Sequence, residues 1–141
     1  MTCRFNGACQ EFYSVAQHSV LVSEIVPSQY ALQGLLHDAS EAYISDIVSP
    51  AKRHLEAYLQ AEEAIQAVVF RKFGCDWPLH REVEIADQIA FATEARDLIR
   101  HQPDSWGTCA LPLDREIRGM RPADARDLFL RRYRLLTNKR E

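Results

Sequence analysis

An imidazole and a carboxylate stand side by side at His37-Asp38, inside the apolar run Tyr30-Ala-Leu-Gln-Gly-Leu-Leu-His37-Asp38-Ala-Ser-Glu41-Ala-Tyr-Ile. Placing both groups among leucines is costly unless each finds a partner. A divalent metal ion is such a partner, because neutral imidazole and carboxylate are both good ligands for it. Adjacent helical residues point in different directions, yet both can lean toward one ion lying over the groove between two helices. Glu41 follows His37 by four positions and Asp38 by three, so it shares their helical face. A carboxylate there is suited to take a proton from water beside the metal. The plainer alternative makes Asp38 a helix cap and leaves His37 on the surface. Apolar residues flank the pair on both sides and no start signal precedes it, so the metal reading is preferred.

Two side chains rarely hold a metal alone. His18 lies within another apolar run, Tyr13-Ser-Val-Ala-Gln-His18-Ser-Val-Leu-Val, which favours a ligand over an ordinary surface histidine. Asp87 interrupts the buried pattern Val83-Glu-Ile-Ala-Asp87-Gln-Ile-Ala-Phe and reads either as a ligand or as part of a solvated face. Glu84 and Glu94 compete for the same role. Glu94 shares a helical face with Asp87 and could support a ligand from behind.

These residues need helices to carry them. Ser14 is a good N-cap for a helix through Val26, with Val15, Leu21, Val22 and Ile25 on its apolar side. A second helix is expected from about Gln29 to Ile44, carrying His37-Asp38. Ser49 reads as the next N-cap with Pro50 at the first helical position. That helix is expected to run to Phe73, with Gly74 closing it. Its buried stripe would be Leu55, Leu59, Ile65, Val68, Val69 and Phe73. A fourth helix spans roughly Leu79 to His101, a loop covers Gln102 to Arg121, and a last helix runs from about Ala123 to Leu136. No period-two strand pattern, repeat or low-complexity stretch is present. The expectation is an all-α, single-domain bundle of about five helices over residues 1–141.

Composition narrows the class further. A chain of 141 residues with 47% hydrophobic content can bury a real core. A net charge of -3 exerts no general pull toward nucleic acid or membranes. Cys3, Cys9, Cys75 and Cys109 form no C-x-x-C pair, which argues against a structural zinc knuckle. With no signal peptide and no apolar run able to span a bilayer, a cytoplasmic location is expected. The basic cluster Arg131, Arg132, Arg134, Lys139 and Arg140 lacks aromatic interleaving, so no nucleic-acid partner is expected.

The order His18, then His37-Asp38, then Asp87 resembles the HD-domain superfamily of metal-dependent phosphohydrolases, whose signature is H…HD…D on a helical bundle. Arg4-Phe5-Asn6-Gly7, Tyr13-Ser14-Val15-Ala16-Gln17-His18-Ser19, the segment from His37 to Asp46, Pro50 and Lys52 resemble a phage and prophage subgroup. It includes YfdR-like proteins and DatZ-type dATP triphosphohydrolases. The His37-Asp38-Ala-Ser-Glu41 segment also resembles YfbR-type 5'-deoxynucleotidases. The resemblance covers about residues 4 to 98. Only three residues precede the Arg-Phe-x-Gly motif, fewer than in related proteins.

By this resemblance His18, His37, Asp38 and Asp87 bind one divalent transition metal ion: zinc, manganese, cobalt, iron or nickel. A second divalent ion can accompany the substrate phosphates. Glu41 becomes the catalytic carboxylate, and Asp46 matches an aspartate near the phosphoester. Arg4 and Lys52 match cations set against phosphate oxygens, where charge builds during transfer. For Asp46 the alternative is an ordinary loop turn, and for the two cations an ordinary surface role. Phe5, Tyr13, Tyr43 and Trp77 could wall a base or sugar, although aromatics at helical spacing are more often core. His80 and His101 receive no role.

The resemblance therefore implies a nucleotide substrate and a homo-oligomer. The leading expectation is a deoxynucleoside triphosphate triphosphohydrolase releasing tripolyphosphate. The next is a 5'-deoxynucleotidase acting on monophosphates. From another class, a non-catalytic metal or nucleotide sensor would use the same fold.

Overall fold

The computed structural model describes residues 2–45, 47, 49–99 and 110–138, with residues 49 and 50 described by backbone only. The described residues are helical: α1 Val15–Ile25, α2 Ala31–Leu36, α3 Glu41–Ile44, α4 Ser49–Lys52, α5 Glu56–Phe73, α6 Arg81–Leu98 and α7 Pro122–Thr137. Five of these exceed one turn, and no strand occurs among the described residues, so the bundle is all-α as expected.

Local chemistry sets the ends. The Ser14 hydroxyl accepts the Gln17 amide at 3.2 Å and starts α1. Val26, ahead of Pro27, takes an extended conformation (φ -66°, ψ 149°) and stops it. Gly74 closes α5 in the left-handed region at φ 65°, where a side chain would be strained. His80 caps α6 through Nδ1, which accepts the Glu82 amide at 3.2 Å, and its ring stacks on Tyr30 with centroids 3.8 Å apart.

α1 lies at the centre, packed by α2, α6 and α7. Leu21, Val22, Val26, Ala31, Val83, Ala86 and Ala90 form one buried cluster, and Leu32, Leu36 and Phe70 another. Gly34 lets α1 and α2 approach closely. A β-carbon there would meet Val26 Cγ1 at 3.1 Å and Ser23 Cα at 3.3 Å. This close approach brings His18 on α1 and His37 after α2 within reach of each other.

Two expectations change. The helix expected from Gln29 to Ile44 is broken at His37–Ser40. Gln66 of α5 inserts its amide into the helical ladder there. Its Oε1 accepts the Ser40 amide at 3.0 Å and its Nε2 donates to the Leu36 carbonyl at 2.6 Å, the two groups a continuous helix would have paired. The helix expected from Ser49 to Phe73 is likewise split into α4 and α5. Its apolar stripe is only partly covered: Leu55, Leu59 and Val68 are 44%, 38% and 59% exposed. α5 packs on α2 through its C-terminal half, where Gln66, Val69 and Phe70 are buried.

The N-terminal segment folds back as a strap. The Arg4 amide donates to the Tyr13 carbonyl at 2.9 Å and the Val15 amide to the Thr2 carbonyl at 3.1 Å. Phe5 and Asn6 both adopt the left-handed region, at φ 55° and 51°. For a bulky residue such as Phe5 this costs on the order of 1–3 kcal/mol and persists only where surrounding contacts enforce it. The Phe5 ring is buried, with its centroid 5.8 Å from that of Phe91 on α6, and this seating turns Arg4 inward.

Candidate metal centre

The strap, α1, the turn after α2 and α6 each deliver one part of a polar cluster inside an apolar bundle. His18 Nε2 and His37 Nε2 face each other at 3.2 Å. Asp38 reaches both rings, with Oδ2 3.4 Å from His18 Nε2 and Oδ1 3.3 Å from His37 Nε2. Asp87 Oδ1 lies 3.0 Å from His18 Nε2 and 3.8 Å from His37 Nε2. The structure thus brings together all four residues expected as ligands, including Asp87, which sequence spacing alone left open.

The other ring nitrogens decide what faces the centre. His18 Nδ1 sits 2.6 Å from Glu94 Oε1, and His37 Nδ1 sits 2.8 Å from the Gly34 carbonyl. A carboxylate and a carbonyl only accept, so both Nδ1 atoms carry hydrogen. In the neutral rings the two Nε2 lone pairs then point inward at two carboxylates. Four acceptors facing one another repel unless a cation lies between them. Asp87 Oδ1 adds to this: it is buried and finds no donor while His18 Nε2 carries no hydrogen. The donor set fits a divalent metal, and His18, His37 and Asp38 form a group able to hold one.

Charge around the cluster is mutually compensated. Arg4 contacts Asp38 Oδ2 at 3.3 Å, Asp87 Oδ1 at 3.6 Å and Glu94 Oε2 at 3.0 Å. Burial works against its charge, but these three carboxylates outweigh burial and hold it firmly protonated. Burial and Arg4 also oppose a charged His18, yet Glu94 and Asp87 push its pKa up to about 10. Burial favours a protonated Asp87, but His18 and His37 hold its carboxyl well below the usual carboxylate range. Glu94 is held low in the same way by His18 and Arg4. Tyr13 donates to Glu94 Oε1 at 3.0 Å, and burial together with that carboxylate raises its phenol. Without a metal the cluster balances itself with a proton on His18; a metal would take that proton's place.

A cavity of about 410 Å³ opens beside the cluster. Its wall includes His37, Asp38, Ser40, Lys52, Glu62, Glu63, Trp77 and Asp87. Lys52 therefore lies on the same cavity as His37, Asp38 and Asp87, with Nζ 2.5 Å from Glu62 Oε1. A second cavity of similar size, about 410 Å³, lies against another side of Asp38 and is walled largely by apolar residues, among them Tyr43, Phe73 and Phe129.

The remaining expected residues divide. Glu41 opens α3 and is buried, but it does not belong to the described wall of the metal-side cavity. The break at His37–Ser40 removes the continuous-helix argument for a shared face with His37. Asp46 lies outside the described residues, as does His101. Arg4 is directed onto protein carboxylates. Of the four aromatics, Phe5 and Tyr13 are buried and structural, whereas Trp77 borders the metal-side cavity. Sequence reasoning missed Glu62 and Glu63, which look like an ordinary solvated helix face, and it missed the Tyr13–Glu94 contact.

No family model matches the chain. The uncharacterized protein YfdR of Escherichia coli (strain K12) is 41% identical over 143 residues, covering 99% of this chain and 80% of that protein. The chain belongs to the YfdR family. An uncharacterized protein of Rhodobacter capsulatus is 31% identical over 98 residues, covering 61% of this chain and half of that protein's length. The first alignment spans essentially the whole chain. Among the described residues no helix is long and apolar enough to cross a membrane.

Proposed function

We propose that this chain is a metal-dependent phosphohydrolase of the HD type that acts on deoxynucleotides, releasing tripolyphosphate from a deoxynucleoside triphosphate such as dATP. One observation carries the reading: two imidazole nitrogens and two carboxylates converge as acceptors on one point, at the wall of a cavity that also holds a cation and an indole. His18, His37, Asp38 and Asp87 would hold a single divalent ion. Such an ion, when bound, supplies positive charge to a phosphoryl oxygen and makes water more acidic.

The rest is done by the chain's own residues. Lys52 meets phosphate oxygens when it exchanges Glu62 for the substrate, and its charge counters the charge that builds during transfer. Trp77 offers an apolar face to a base or sugar. Arg4 offsets the negative charge of Asp38, Asp87 and Glu94, which lowers the repulsion an anionic substrate meets. Two carboxylates compete to accept the proton of the attacking water: Glu41 on the family resemblance, Glu63 on its position in the cavity wall. Activity surviving Glu41→Ala and lost in Glu63→Gln would assign the role to Glu63.

A 5'-deoxynucleotidase uses the same residues and differs in its product. A panel of deoxynucleoside mono-, di- and triphosphates, run with manganese, cobalt and zinc and with chelator as control, separates the two. Tripolyphosphate from a triphosphate is the expected product. Orthophosphate from monophosphates alone would favour the nucleotidase, and no metal-dependent product would favour a sensor on the same fold.

A further inference from the structure

Glu94 is a fully enclosed carboxylate, 0% exposed, that lies behind the metal ligands rather than among them. Three donors surround it: His18 Nδ1 at 2.6 Å and the Tyr13 hydroxyl at 3.0 Å on Oε1, and Arg4 Nε at 3.0 Å on Oε2. Because a carboxylate only accepts, its presence determines which nitrogen of His18 carries hydrogen. The ring cannot turn over without presenting carbon to Glu94 and losing the 3.0 Å approach of Nε2 to Asp87.

We infer that Glu94 is a positioning residue for the metal centre: it fixes His18 with Nδ1 protonated and Nε2 directed inward, and it anchors the strap residue Arg4 over Asp38 and Asp87. The inference rests on the reading of the four-residue cluster as a metal site. One side chain thereby couples α6, α1 and the strained N-terminal strap to the geometry of the ligands. The strain at Phe5 fits this role, since the backbone there is bent to bring Arg4 onto Glu94.

Glutamine cannot replace it. If the amide oxygen faces His18 and Tyr13, the amide nitrogen faces the Arg4 guanidinium, donor against donor. The opposite rotamer sets the nitrogen against the His18 N–H and the Tyr13 hydroxyl. The second arrangement favours the wrong His18 tautomer, with hydrogen on Nε2. Aspartate keeps the charge but is one methylene shorter, so it withdraws from at least one donor.

Cobalt(II) titrated calorimetrically into metal-free wild type, Glu94→Gln, Glu94→Asp and Tyr13→Phe, with a thermal melt of each, tests the assignment. Loss of an outer hydrogen-bond partner of a ligating histidine typically weakens metal binding about 10–100-fold, and that is the expected loss for Glu94→Gln. Glu94→Asp should weaken binding as well and alter the visible spectrum of the bound cobalt. Tyr13→Phe should lower the melting temperature while changing the affinity far less. If Glu94→Gln does not fold, Glu94→Asp decides by the same criterion. Folded Glu94 variants with wild-type affinity and spectrum would overturn the inference. A wild type that binds no cobalt would overturn the metal reading and this inference with it. Turnover does not enter the test, so a failed substrate assignment leaves it standing.

Discussion

The cluster beneath α1 and residues 59–66 of α5 border one cavity, yet they are built on opposite terms. His18 and Glu94 are fully enclosed, Arg4 is nearly so, and each charge there is answered by a named partner on another element, with Asp87 opening toward the cavity. Along α5, Leu55, Leu59 and Val68 reach solvent, and the Lys52–Glu62 pair is itself partly open. The enclosed side has the rigidity that metal ligands require, since their spacing is set by α1–α2 packing and by the Arg4–Glu94 pair. The open side has room for a ligand to displace Glu62 from Lys52. The lesson is that one cavity can combine a preorganised wall with an adaptable one.

Mutations should separate the two walls, and the largest effects belong on the enclosed side. His37→Ala or Asp38→Ala should abolish metal binding and any hydrolysis together, measured by calorimetry and product release. Retained activity in either would break the comparison outright. Phe70→Ala, which empties a fully buried site where α5 meets α2, should cost about 3–5 kcal/mol in urea unfolding. Val68→Ala, two residues away on the exposed face, should stay within about 0.5 kcal/mol. Similar losses at both positions would mean that the outer face of α5 is covered in solution.

The pH response sharpens the same contrast. His18 binds its proton more tightly in the folded chain, with a pKa of about 10 against an ordinary 6.5. A raised pKa contributes stability that is complete below pH 6.5 and is lost as pH rises through about 10. Asp87 and Glu94 are lowered, so their contributions are present at neutral pH and disappear on acidification. Metal-free protein should therefore melt several degrees lower at pH 9.5 than at pH 6.5. Metal-loaded protein should not show that alkaline loss, because His18 no longer holds the proton. The smallest effect is expected on the open wall. Lys52→Ala should raise the Michaelis constant and leave metal affinity unchanged; an unchanged constant would return Lys52 to an ordinary surface role.

Much of the enclosed side was legible in the sequence because its signals are local. Ser14 as a cap, Gly74 as a stop and a histidine amid apolar residues are each readable within a few positions. The break at His37–Ser40 was not, because it depends on Gln66, distant along the chain and outwardly an ordinary polar helix residue. The α5 stripe misled for the opposite reason. Its helical spacing is real, but only packing determines how much of an apolar face is covered. Asp87 became convincing only through convergence, when its Oδ1 came within 3.0 Å of His18 Nε2. Glu94 was legible as a support behind a ligand from its shared face with Asp87, but its hold on His18, Tyr13 and Arg4, and the structural role of Tyr13, show only once the strap folds over them.

On the proposed reading, His18, His37, Asp38 and Asp87 hold one divalent ion. Equilibrium dialysis of metal-free wild type and Asp87→Asn against cobalt(II), with bound metal counted by mass spectrometry, tests it most directly. One ion per wild-type chain is expected, with clearly weaker binding in Asp87→Asn. A wild type that retains no ion, or an Asp87→Asn that binds as tightly as wild type, would contradict it.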